Sequence, residues 1–337
     1  APLLGVAHKR LDFNGQPTAL AGMPLVAMGA QSGNLQYDLT TGGGIERPAR
    51  GGSGALLSSA TGDSSAGGSG GSTPLPRAAS QPLPPNVPRV VTSQKGSVLV
   101  YPKVELRWRE TIPGNNTWTL IQDTFLELTN DYPASVQVQM YFVNGDQPIE
   151  MDQIAGERTH PGCNYVDVQM PLTANEPTYW SVFNGGPKGV VPFTALDPCF
   201  PPGRPANDGT NDRVLRGYVV AWAVAFLPDG SGGVAAREIS WNHLSGRATI
   251  VNYAIGDAWE YNPWAFQTVA AQLGAEPDGV PGNLNFDGVE YQAAPDLLLF
   301  DFYASGSTGF SRLQPPITVT TETDLTLMPM LQDLREP

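Results

Sequence analysis

The composition of this chain breaks near residue 90. Between Thr41 and Pro88, 11 Gly, 8 Ser and 7 Pro fill 26 of 48 positions, and no aromatic residue occurs between Tyr37 and Tyr101. Such a stretch has too little apolar surface to offset the entropy of ordering it, so it builds no core of its own. Residues 41–92 therefore read as a linker, ordered only by lying against the body of its own chain or a neighbouring subunit. Ahead of it, residues 1–40 carry apolar residues in short groups broken by Gly and Pro: Leu3, Leu4 and Val6, then Met23, Leu25 and Val26. These six are expected to anchor an extended arm rather than to build a domain.

From Val90 onward the pattern is that of strands. Val98, Val100, Val104, Leu106 and Trp108 share one parity, interrupted by Pro102, which marks an edge strand or a bulge. Val136, Val138, Met140 and Phe142 alternate with Gln137, Gln139 and Tyr141, the period of a half-buried strand. Val214–Leu227 is almost continuously apolar and is expected to be buried on both faces. A helix is predicted over 262–274, capped by Asn262, with Pro263 in its first turn, Phe266, Val269, Ala270 and Leu273 on one face, and Gly274 as the stop. Short strands separated by Gly, Pro and Asn predict a mainly β chain. Residues 93–337 would form a β-sandwich of jelly-roll or Ig-like type, either as one body or as two packed β-domains divided near 205–215.

Charge narrows the partners. With 19 basic and 32 acidic residues the net charge is −13, which argues against nucleic-acid binding by phosphate neutralisation. The first 90 residues hold six Lys and Arg, too few for a packaging arm. The longest apolar run, Val219–Leu227, is less than half of what a spanning helix needs. Scarce Lys, with abundant Thr, Asn, Gly and Pro, reads as extracellular, and the Ala1-Pro2 start is compatible with cleavage of an export signal. In that setting Cys163 and Cys199, both in Pro-flanked loops, are expected to form a disulfide.

No motif dictates a catalytic mechanism. His8, His160 and His243 are dispersed and lack the paired spacing of a zinc site. Gly67-Gly68-Ser69-Gly70-Gly71 has the letters of a nucleophile elbow without the strand and helix that the elbow requires. The strongest ligand signal is Asn283, Asn285 and Asp287 followed by Gly288. Alternate oxygens then Gly resemble the first half of a calcium loop, although Ala294 stands where the final ligand belongs. An ordinary Asn/Asp/Gly turn fits the same letters. Asn207–Asp212 is a weaker version. Trp241, Trp259, Tyr261 and Trp264 form an aromatic group that suits a sugar platform, a subunit interface or a core.

Six runs carry a family resemblance: KGSVLVYPKVE at 95–105, DTFLELTND at 123–131, YFVNGD at 141–146, RTHPG at 158–162, WNHL at 241–244 and AWEYN at 258–262. Over residues 93–335 they resemble a family of uncharacterised secreted bacterial proteins. The resemblance implies an exported, sandwich-like domain and supplies no catalytic residues.

The expected function is structural, not enzymatic. The chain would be a subunit of an extracellular bacterial filament, sheath or surface layer, a homopolymer whose arm packs on neighbouring copies. The alternative is an adhesin module that binds extracellular glycans or is stabilised by calcium.

Overall fold

The computed structural model describes residues 3–13, 16–18, 23–24, 26–27, 90, 94–150, 159–228, 233–269, 271–277, 282–295, 298–299, 306–310, 317–330 and 333–335. The labelled strands are β1 (Leu3–Phe13), β2 (Val98–Glu110), β3 (Trp118–Asn130), β4 (Val136–Asn144), β5 (Tyr165–Leu172), β6 (Pro177–Ser181), β7 (Arg213–Pro228), β8 (Val234–Glu238), β9 (Leu244–Asn252), β10 (Asp257–Tyr261), β11 (Trp264–Phe266), β12 (Asn283–Asn285), β13 (Gly306–Phe310), β14 (Ile317–Pro329) and β15 (Asp333–Arg335). The chain is mainly β, as its alternation predicts. The linker expected over 41–92 lies outside the described residues except at Val90. Residues 1–28 and 87–337 form one compact unit, with no division near 205–215.

The large sheet is antiparallel, in the order β10-β9-β3-β2-β7-β4-β5, with β6 paired to β3, β8 to β7 and β11 to β2. It folds over on itself through β2. Opposite β7, Tyr101 faces Val219 and Val104 faces Gly217, so β2 carries one extra residue at Pro102–Lys103. This is a β-bulge, and it inverts the parity of the strand. Val98 and Val100 enter one core, whereas Val104, Leu106 and Trp108 enter another. The single face read from the sequence is thus two faces.

The first core lies between the folded halves of the large sheet. Leu126, Leu128, Ala248, Ile250 and Trp259 on one half meet Leu106, Leu215, Val138, Met140 and Phe142 on the other. The second core lies on the outer face of β2 and β7. There Val98, Val100, Val220 and Trp222 are covered by Leu4 and Ala7 of β1, Met328 of β14, Trp264 and Phe266 of β11, and Phe286 and Tyr291. The covering sheet runs β13-β14-β1 and then Gln16–Thr18.

The segment 262–274 is not a helix. Trp264, Ala265 and Phe266 are all buried and pair with Val100, Leu99 and Val98. Beyond the bulge β3 pairs only with Arg107–Glu110, so the edge of Val98–Val100 needs other hydrogen-bond partners, and β11 supplies them. That demand outweighs the helical spacing of the apolar residues. Among the described residues helical structure is confined to short turns at Pro187–Gly189 and Phe193–Leu196.

A bulge leaves backbone groups without ladder partners, and a tyrosine completes this one. The Tyr261 hydroxyl donates to Lys103 O and accepts from Lys103 N at 3.2 Å. Burial pushes the Tyr261 pKa far above its ordinary value, which keeps the donor protonated. On the other side of the bulge the Tyr101 hydroxyl donates to Glu127 O at 2.6 Å. Residue 246 must be Gly for this to happen, because a Cβ there would sit 2.0 Å from the Tyr101 oxygen. We expect Tyr261→Phe to lower unfolding free energy by about 1–3 kcal/mol, since it leaves two buried backbone groups unpaired. Urea unfolding followed by tryptophan fluorescence checks this.

Candidate functional site

The arm predicted from the first residues is extended, and it belongs to the body. β1 pairs with β14 over its whole length, from Leu3 opposite Pro329 to Phe13 opposite Val319. Its other edge pairs with Gln16–Thr18 and Met23–Pro24, so β1 is a central strand. Leu4, Val6 and Ala7 are each no more than 2% exposed. Val6 reaches the first core, and Leu4 and Ala7 reach the second. Trp264 Nε1 donates to Gly5 O at 3.2 Å, so the strand is held by a side chain as well as by its ladders. Full burial of Leu4 and Val6 stabilises by roughly 1.5–3 kcal/mol each.

Of the six proposed anchors, Leu4 and Val6 are buried and Leu3 is half-buried. Met23 lies in the two-residue strand opposite Ala7, and Val26 lies in a short strand opposite Leu299. Leu25 lies outside the described residues.

The aromatic group is core, not platform. Trp241, Trp259, Tyr261 and Trp264 are 6%, 7%, 2% and 1% exposed. Trp241 Nε1 donates to Asn130 Oδ1 at 3.0 Å, Trp264 holds Gly5, and Tyr261 completes the bulge. The polar atoms of Trp241, Tyr261 and Trp264 are directed to internal partners, and all four rings are buried away from a sugar.

The calcium-like run forms a strand and then a turn. Asn283 and Asn285 are in β12, which pairs with β15. Asp287 Oδ1 accepts from the N–H groups of Val289 (2.7 Å) and Glu290 (3.3 Å), and its Oδ2 accepts from Asn285 Nδ2 at 3.2 Å. Asn285 and Asp287 therefore meet, but through an amide N–H, and Asp287 shapes the loop. At Asn207–Asp212 the acids face arginines instead of a metal. Asp212 receives Arg109 Nε and Nη2, each at 2.8 Å, and Asp208 receives Arg107 Nη1 at 2.8 Å. Burial opposes the ionisation of Asp212, but the hydrogen bonds and charge of Arg109 outweigh it and hold the pKa below the usual carboxylate range. Arg109 and Asp212 line a cleft of about 400 Å³ with Glu110, Pro113, Thr210 and Asn211.

Sequence reasoning missed a buried polar cluster. His160 and Asp197 are fully buried as side chains, with Nδ1 2.7 Å from Asp197 Oδ2. That oxygen also accepts from Gly203 N at 2.8 Å, and Asp197 Oδ1 accepts from Cys199 N at 3.2 Å. Arg213, fully buried, places Nη2 3.2 Å from His160 Nε2 and donates to Gly203 O. Arg204 donates to the carbonyls of Gln147 and Pro161. A guanidinium only donates, so His160 Nε2 accepts and the ring proton sits on Nδ1, facing Asp197.

Nitrogen, oxygen and sulfur of His160, Asp197 and Cys199 lie within 4.8 Å of one another, a donor set that suits zinc. The surroundings do not suit it. A ligating histidine donates its second N–H to a carbonyl or carboxylate, whereas this one faces the Arg213 guanidinium, and Arg204 already faces the carboxylate. The same contacts engage both ring nitrogens of His160. The cluster ties the loops around 147, 160 and 203 to β7. No spacing announces it, because its members come from four separated stretches of the chain.

The expected disulfide is not formed: Cys163 and Cys199 are not joined to each other. Cys163 Sγ lies 3.6 Å from Asp146 O and Cys199 Sγ 3.3 Å from Thr159 O, so each loop turns its thiol toward a different carbonyl. No family model matches the chain, and no curated protein or solved structure matches it either.

Two outcomes follow. A thiol reagent should react with both cysteines in denaturant without prior reduction, and reductant should leave the melting temperature unchanged. Asp197→Asn should destabilise by about 3–5 kcal/mol, because it leaves buried Arg204 without its carboxylate. Denaturant unfolding measures that loss.

Proposed function

We propose that this chain is a structural protein, an exported subunit of an extracellular filament, sheath or surface layer, and that it assembles by lending β1 to a neighbouring copy. In this reading it has no catalytic role. One observation carries it. β1 is a central strand, hydrogen-bonded on both edges and buried at Leu4, Val6 and Ala7, yet the chain joins it to the body through the Gly-, Ser- and Pro-rich stretch at 41–88.

The contacts of β1 are the same whether its own chain or a neighbour supplies the strand. The choice between them then depends on effective concentration and on the span the connection must cross. A strand supplied from one copy to the next makes a heterologous contact, and heterologous contacts propagate unless the rotation closes a ring. Main-chain ladders supply the affinity, and the pockets for Leu4 and Val6 supply the register.

The register gives a test that leaves β1 in place. Ala7 is opposite Leu325. A chain carrying Ala7→Cys and Leu325→Cys, with Cys163 and Cys199 changed to Ser, should give a ladder of covalent multimers on non-reducing gels after mild oxidation. Electron microscopy of the same sample should show polymers. Intrachain cross-linking alone, with monomers under the microscope, would overturn the reading.

A further inference from the structure

We propose that the outer face of β4 and β5 binds a neutral glycan chain. The register places Tyr165 beside Val143, Asp167 beside Tyr141 and Gln169 beside Gln139, so the side chains of these residues share one face of the sheet. The opposite face of β5 carries Val168, Met170 and Leu172 into the first core. Strand β5 is therefore one-sided: Tyr165, Asp167 and Gln169 are exposed while Val168, Met170 and Leu172 are buried.

Aromatic rings are in reach on this face. The Tyr141 and Tyr165 ring centroids are 5.2 Å apart with planes inclined by 32°, and Tyr141 rests edge-on against Trp222 at 4.9 Å. Trp222 is buried, so it fixes Tyr141 from below, while Tyr165 is 47% exposed. A large exposed ring packed on a second ring is a rigid apolar surface with little rotamer entropy left to lose on binding. Polar groups lie beside the rings. Gln169 Nε2 donates to Gln139 Oε1 at 3.1 Å, which orients both amides, and the Asp167 carboxylate lies in the row between them and Tyr165.

Charge selects the partner. Among the described residues of β4 and β5 on this face there is no Lys or Arg, the one charged group is Asp167, and the chain carries −13 overall. On these two strands an anionic polymer finds no cation, Lys188 and Arg216 on the adjoining segments are paired with Glu176 and Glu105, and the net charge repels it. A neutral sugar chain complements the face: its C–H faces pack on the rings, and its hydroxyls donate to the carboxylate and the amide oxygens. This surface is distinct from the Trp241–Trp264 group, whose rings are internal.

Titration calorimetry of the full chain against a panel of neutral hexasaccharides, including cellohexaose and chitohexaose, tests the proposal. Soluble ligands keep glycan capture separate from self-assembly. At least one hexasaccharide should bind, Tyr165→Ala should weaken it about tenfold or more, and Tyr165→Phe should retain it. Asp167→Ala should weaken it as well. The melting temperature should be unchanged in all three variants, since both positions are exposed. Failure of every neutral hexasaccharide to bind would overturn the proposal. So would binding that Tyr165→Ala and Asp167→Ala leave intact, or binding confined to polygalacturonate or heparin.

Discussion

The extra residue at Pro102–Lys103 is what allows β2 to serve two cores. A regular strand sends alternate side chains to opposite faces, so its apolar parity belongs to one core throughout. After the bulge the parity is inverted, and Val104, Leu106 and Trp108 turn away from the side that Val98 and Val100 occupy. The hydrogen-bond partners change at the same place, from β11 to β3. Tyr261 makes the irregularity tolerable. Its hydroxyl acts as donor and acceptor to a residue that cannot use a ladder, and it reaches β2 from β10 across the first core. Lys103 itself is 7% exposed, and its ammonium group pairs with Asp324 of β14 and lies 5.5 Å from the Trp259 ring centroid. One local kink therefore connects the folded large sheet to the terminal sheet.

Low overall charge does not mean that charges are confined to the surface. Lys103, Glu105, Arg204, Asp212, Arg213 and Asp197 are all buried. Each is met by opposite charge or by backbone carbonyls, as a buried ion must be. Their role is positional. A buried pair contributes little net stability compared with well-packed apolar residues, but removing one partner is costly. Arg204 and Arg213 accordingly pin long connections to β7, while the two cores supply most of the apolar burial.

Much of this was legible in the sequence, and the rest was hidden for identifiable reasons. Val136–Phe142 alternates cleanly because β4 is regular and one of its faces is core. Val98–Trp108 alternates as well, but the bulge divides that pattern between two cores, and Pro102 was its only local sign. The helical spacing at 262–274 misled because a buried edge required hydrogen bonds, and tertiary demand overrides local propensity. Trp241, Trp259, Tyr261 and Trp264 show aromatic clustering, yet clustering does not say which side of a sheet is wet. Cys163 and Cys199 could not be resolved from spacing, since bridging depends on where the Cβ vectors point. The His160 cluster has no sequence signature, because it is assembled by loops far apart in the chain.

The outer face of the large sheet shows how cover and chemistry match. Along the row from β7 to β5, Trp222 is 2% exposed, Gln139 is 9% exposed and Gln169 is exposed. In the neighbouring row Val220 is buried, Tyr141 is intermediate and Asp167 is exposed. Residues turn from apolar to amphipathic to polar as the terminal sheet ends. The tyrosines stand at that boundary, where a ring can pack inward on the second core and still present an edge to water. The core that β1 completes with Leu4 and Ala7 is thus the same core on which Tyr141 rests. Strand β1 and the aromatic surface therefore share one core, in which Trp222 of β7 lies against Tyr141.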